Sequence, residues 1–130
     1  MSHFDKVKQF LAELEYSIVK EDKANEIFVI ESPENGIQNL LIGIADPIII
    51  IEQYMFDLTE NIAEVTKELL IKNRDIVHGA FVMDESGTKV IFRDTLQADS
   101  LDLNELEGTL NSLSILLSEY SNEIIEFAKH

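Results

Sequence analysis

The residues able to do chemistry are scattered. The three histidines, His3, His78 and His130, stand apart, and no two share the i, i+4 spacing by which one helix face grips a metal ion. His3 and His130 sit where chain ends fray, and His78 opens a hairpin beside Gly79, a place suited to a structural or solvent-facing ring. With no cysteine, a thiolate metal site, a catalytic thiol and a disulfide framework are all excluded. None of the serines lies in a G-x-S-x-G elbow, and Gly36, Gly43, Gly79, Gly87 and Gly108 are too dispersed to cradle a phosphate. Carboxylates are so abundant that an acid/base pair can be drawn anywhere, which makes no single pair informative. Asp84-Glu85 and Asp99-Asp102 come nearest to a calcium cluster, but neither sits in a D-x-[DN]-x-[DN]-G loop with its trailing Glu, and turn and cap duty explains both. The sequence therefore assigns no catalytic, metal or cofactor residue. Arg93, a cation at the end of an apolar strand in an acidic chain, is expected to pair with a carboxylate and is retained as a candidate partner contact.

The elements that would position these groups follow from composition and periodicity. The 130 residues read as one domain, with 45% hydrophobic content arguing against disorder. Twenty-five acidic against 10 basic residues give a formal charge of -15, which repels phosphate backbones and anionic membranes. Nucleic acid and membrane are thus excluded as partners. The longest apolar run, Leu40 to Ile51, is too short to span a bilayer and is broken by Asp46-Pro47. The N-terminus lacks the basic lead and apolar core of a secretory signal, so a cytoplasmic protein is expected.

Ser2 and Asp5 open a first helix whose apolar stripe is Phe4, Val7, Phe10, Leu11 and Leu14. Strands follow at Ser17 to Glu21, Ile27 to Glu31, Asn39 to Ala45 and Ile48 to Met55, with turn chemistry at Asp22 to Asn25 and Ser32 to Gly36. Leu40 to Ile42 and Ile48 to Ile51 are apolar on both faces, the pattern of central strands covered on both sides. Gly43 within the first of them suggests a bulge or a close approach. Thr59 is expected to cap a second helix through Asn73, with Ile62, Ala63, Val65, Leu69 and Leu70 on its apolar side. A second hairpin, His78 to Met83 and Lys89 to Asp94, turns at Asp84-Glu85-Ser86-Gly87.

Leu101 and Leu106 then bracket Asp102 and Glu105 as a hydrophobic staple around a capping box. From there Leu103, Leu106, Leu110, Leu113, Leu117, Tyr120, Ile124 and Phe127 form one stripe. Such a helix would reach roughly 40 Å at about 1.5 Å per residue, against roughly 24 Å for five strands at about 4.8 Å each. It must kink, near Ser118 to Asn122, or overhang onto a partner. Leu117, Tyr120, Ile124 and Phe127, in the overhang, are therefore candidate partner-binding residues. Blocks of antiparallel strands rather than strict strand-helix alternation indicate an α+β fold: an antiparallel sheet of about five to six strands flanked by three helices.

The stretch HGAFVMDESGTKVIFRDTLQADSLDLNELEGTLNSL from His78, with NLLIGIADPIIIIEQYMF from Asn39 and NRDIVHGAF from Asn73, resembles the YbjN-like, Tir-chaperone-like proteins of Bacteroidetes-type bacteria. These are related in fold to class I type III secretion chaperones. The resemblance spans essentially the whole chain. It implies a small acidic α+β domain, commonly a homodimer, that binds a partner protein and carries no catalytic signature. By the same analogy the second helix, through Ile62, Val65 and Leu69, is the candidate dimer element. Two functions follow as expectations: a chaperone-like or adaptor homodimer that binds a client through apolar surface, or a small-molecule-sensing domain with a pocket between sheet and helices near Gly43 and Tyr54.

Overall fold

In the computed structural model, which describes residues 2–128, the chain builds one six-stranded antiparallel sheet and three helices. Helix α1 (His3–Glu13) precedes strands β1 (Ser17–Asp22), β2 (Ile27–Ser32), β3 (Ile37–Ala45) and β4 (Ile48–Asp57). Helix α2 (Ile62–Asn73), hairpin β5 (Ala80–Met83) and β6 (Lys89–Gln97), and helix α3 (Leu103–Ala128) complete the chain. The strand order is β1-β2-β3-β4-β6-β5, with β3 and β4 central as their apolar runs required.

Local signals account for most boundaries. The Ser2 hydroxyl accepts from the Asp5 amide at 3.1 Å and starts α1. The Asp102 carboxylate accepts from the Glu105 amide at 2.8 Å, with Leu101 and Leu106 buried on either side, and starts α3. Gly36 and Gly87 take the left-handed conformation that closes their turns, at φ +75° and +72°. Helix α2 departs from expectation. It begins at Ile62 behind a left-handed Asn61, without the side-chain cap assigned to Thr59.

The largest correction concerns coverage of the sheet. One face is closed: Phe28, Ile30, Leu40, Ile42, Ile49, Ile51 and Phe92 are fully buried there, beneath Phe4, Val7 and Leu11 of α1 and Leu106, Leu110 and Leu113 of α3. Phe4 stacks on Phe28 at 4.3 Å between ring centroids. Helix α2 adds Val65 and Leu69 to the same core. Among the described residues no helix lies across the other face, α2 reaching it only at Val82 on the β5 edge, and no strand residue that points to it is buried. The doubled apolar runs of β3 and β4 are therefore covered on one side only.

The position of Gly43 is also corrected. It pairs regularly with Ile27 and Ile50, and a Cβ there would meet only the Leu41 side chain at an ordinary 3.7 Å. The glycine that the packing demands is Gly79, left-handed at φ +88°, where a Cβ would run into the ring of Phe92.

Helix α3 runs unbroken from Leu103 to Ala128, with no interruption at Ser118 to Asn122. Its first half is sealed onto the sheet, and the buried Thr109 hydroxyl donates to the Asp94 carboxylate at 2.8 Å. Its second half leans on the rim of the core instead. Leu117 lies against the Gly36 turn, Tyr120 under the Lys72 ammonium of α2, and Phe127 beside Phe56 at 6.2 Å.

Candidate functional site

The strand registers assemble the uncovered face row by row. One row runs Lys20, Val29, Leu41, Glu52, Arg93, Ala80, and the next runs Asp22, Ile27, Gly43, Ile50, Thr95. Ile91 lies beyond them between Tyr54 and Val82. Val29, Ile27, Leu41, Ile50, Ile91 and Val82 are all half-exposed, so six aliphatic side chains share one open surface. Near its middle the Arg93 guanidinium meets Glu52 at 3.3 Å, the carboxylate pairing expected of it. The Lys89 ammonium binds Asp57 at 3.1 Å and lies 5.3 Å over the Tyr54 ring at one end of the face. Hydrogen bonds from Lys89 and Tyr54 hold the Asp57 carboxyl below the usual carboxylate range, and the same ion pair raises Lys89.

The two edges of the sheet are treated differently. On β5 the outward backbone groups of Phe81 are taken by the Asn73 amide, whose Oδ1 accepts at 2.7 Å and whose Nδ2 donates at 3.1 Å. Helix α2 thus caps that edge and blocks further strand pairing there. On β1 the outermost strand is exposed, broken by a bulge at Val19 and charged at Lys20, Glu21 and Asp22. Val65 and Leu69, read from the sequence as dimer contacts, are only 6% and 4% exposed and face the core. The surface of α2 is instead apolar at Ile62 (41% exposed), Leu70 (71%) and Ile71 (55%).

The four overhang residues, Leu117, Tyr120, Ile124 and Phe127, are half-buried against the core rim. Leu117 and Ile124 help line a crevice of about 360 Å³ with Gln38, Gln53 and Tyr54. Tyr54 therefore does border a cavity, but Gly43 faces the uncovered side and cannot share a pocket between sheet and helices.

Sequence reading missed one convergence altogether. His3 brings Nε2 to 2.9 Å from Asp99 and Nδ1 to 3.6 Å from Asp46, tying the start of α1 to the β3–β4 turn and to the loop before α3. These three could offer ligand atoms within 4.8 Å of one another, but both ring nitrogens already face carboxylates and both acids are well exposed. The group is built as a polar latch between three segments. Separations of more than 40 residues hid it, and no spacing rule would find it. His78, by contrast, is exposed, with Nε2 set over Gly108 of α3 and its carbonyl bonded by Ser112 at 2.9 Å. His130 lies outside the described residues. Among the described residues, no helix is long and apolar enough to cross a membrane.

The arrangement is thus a sheet closed by helices on one face and left open, with aliphatic side chains, on the other. The CesT_Tir_1 family model matches residues 1–130. The chain belongs to the CesT_Tir_1 family. As a CesT_Tir_1 protein it shares its fold with several solved structures. It is similar to YbjN from E. coli, described as a putative transcription regulator, with a TM-score of 0.69 at 14% identity over 92% of both chains. It is also similar to the Yersinia pestis type III secretion chaperone SycH, solved with a fragment of YscM2, with a TM-score of 0.63 at 11% identity over 97% and 99% of the two chains. A third similar structure, the HopA1-SchA chaperone-effector complex, gives a TM-score of 0.63 at 8% identity over 97% and 92%. No curated protein sequence matches the chain. At these identities the likeness establishes the type III secretion chaperone fold.

Proposed function

We propose that this CesT_Tir_1 protein is a non-enzymatic, chaperone-like or adaptor module of the cytoplasm that binds a client protein on the open face of its sheet. One observation carries the reading: six half-exposed aliphatic side chains, Ile27, Val29, Leu41, Ile50, Val82 and Ile91, are laid out on a regular sheet, and α2 borders only Val82, at the β5 edge. Contiguous apolar surface of this kind is uncommon on a domain with no partner. Support comes from the fold relatives, since SycH was solved with a fragment of YscM2 and SchA in complex with an effector. The Arg93–Glu52 pair supplies a polar anchor within that surface, and the half-exposed flank of α3 at Leu117, Tyr120, Ile124 and Phe127 extends the contact at its rim.

The working unit is a homodimer joined through α2. Because Val65 and Leu69 are spent on the core, Ile62, Leu70 and Ile71 form the contact, and the Asn73 clamp on β5 makes it helix against helix rather than strand against strand. Light scattering at micromolar concentration is expected to give twice the 14.8 kDa chain mass, falling to one copy in Leu70→Asp. Client binding is tested with Leu41→Ser/Ile50→Ser, which truncates two half-exposed side chains and leaves the buried core residues in place. The variant should melt like the parent and lose a partner that the parent retains through purification from the native host. Retention of the same partner by the variant would refute the assignment of the open face.

A further inference from the structure

A second surface lies away from the open sheet face. Between α3 and the 74–79 loop that joins α2 to β5 is a crevice of about 380 Å³, bordered by Ile76, Val77, Ile115 and Leu116 with Asp75 and Glu119. Val77 is 84% exposed and Ile115 57% exposed, so two large aliphatic side chains face solvent at the mouth of one groove. The wall beneath them is firm, because the Ser112 hydroxyl holds the loop to α3 through the His78 carbonyl. Among the described residues, no lysine or arginine lines the crevice. The Asp75 and Glu119 carboxylates form no hydrogen bond or ion pair among the described residues, whereas the nearby Lys72 is already committed to Glu123.

We propose that this crevice seats a basic amphipathic helix of a partner protein, an aliphatic side chain entering between Val77 and Ile115 and a lysine or arginine meeting Asp75 and Glu119. The charge is set by the two free carboxylates in a chain of net charge -15. The helical form follows from the walls, which are a helix and a loop. They offer no strand edge to satisfy an extended backbone, so the occupant must satisfy its own, and a helix laid in a groove does that. This deepens the protein-binding reading and rests on it, but at a different surface.

The probe is an 18-residue fluorescein-labelled peptide of leucine and lysine with helical periodicity, titrated by anisotropy against the full chain. Val77→Ser/Ile115→Ser, both at exposed positions, should weaken binding at least tenfold. Asp75→Asn/Glu119→Gln should weaken it about tenfold and flatten its salt dependence. Glu13→Gln/Glu15→Gln, an equal change of charge at the end of α1 and in the turn after it, should change it less than twofold. The inference is overturned if the wild-type chain does not bind the peptide below 100 μM, if the α1 pair weakens binding as much as the crevice pair, or if only Leu41→Ser/Ile50→Ser does. That last result would leave the open sheet face standing as a docking surface while removing this one, and failure of the open face alone would leave the crevice intact.

Discussion

The two faces of the sheet are written in nearly the same residues and end in opposite conditions. Ile49 and Ile51 of β4 are fully buried beneath the helices, while their neighbours Ile48 and Ile50, one residue out of phase, stay half-exposed. The period of two sends alternate side chains to opposite sides, so an unbroken isoleucine run guarantees that both faces are apolar and says nothing about what covers each. Coverage is decided by the helices. The apolar stripe of α1, through Phe4, Val7 and Leu11, and the first half of that of α3, through Leu106, Leu110 and Leu113, are both spent on the first face.

If that contrast is right, the same kind of truncation must have opposite consequences on the two sides. The largest loss is expected at the closed face, where Phe92→Ala should cost about 3–5 kcal/mol in denaturant unfolding. Ile50→Ser on the open face should cost under about 1 kcal/mol while impairing partner binding, and a loss there equal to that at Phe92 would break the comparison. Gly79→Ala sharpens it further. The new methyl would collide with the Phe92 ring in a backbone conformation that alanine resists, so a drop of several degrees in Tm is expected, against little or no drop for Gly43→Ala on the open side. Next in size is Thr109→Val, which leaves the Asp94 carboxylate beneath α3 short of a donor and should cost about 1–3 kcal/mol. Arg93→Ala removes a partly exposed ion pair and should cost no more than about 1 kcal/mol, so a large effect on partner binding with nearly unchanged melting would identify it as a contact.

The smallest effect is one of pH. Asp22, Asp57 and Asp84 are each held below the ordinary carboxylate range, by hydrogen bonds from Asn25, Lys89 and Ser86 respectively. The unfolded chain therefore binds more protons than the folded one near pH 4. This stabilisation is present above the ordinary carboxylate value of about 3.9 and is lost as pH falls through the lower folded values. All three carboxylates are solvent-exposed, so the change in Tm between pH 6 and pH 3 from these groups should be slight, and Asp57→Asn should make it slighter.

Much of the fold was legible because its signals are local. Ser2, Asp102, Gly36 and Gly87 each act within three or four residues, and each stands at the boundary its chemistry predicts. What escaped the sequence depends on contacts between distant segments. The Asn73 clamp on Phe81, the His3 latch and the demand for glycine at 79 arise only once the chain is folded. The inward turn of Val65 and Leu69 escaped for a related reason. Periodicity finds the apolar side of α2 but does not divide it: Val65 and Leu69 belong to the core, while Ile62 and Leu70 of the same stripe stay exposed beside Ile71. The length of α3 follows from its stripe, yet the Gly36 turn, Lys72 and Phe56 meet much of its second half from within the chain.

The central claim, that the uncovered sheet face is where a client protein sits, is tested most directly by site-specific photocross-linking. A benzophenone side chain placed at Ile50, with one at Ile125 on the exposed flank of α3 as the comparison, is irradiated in the native host. The product is identified by mass spectrometry, and the purified partner is then titrated against the parent chain. The account predicts one discrete partner from position 50, bound at least tenfold more weakly by Leu41→Ser/Ile50→Ser. Cross-links from position 50 to the same chain only, or equal affinity of the parent and the double variant, would contradict it.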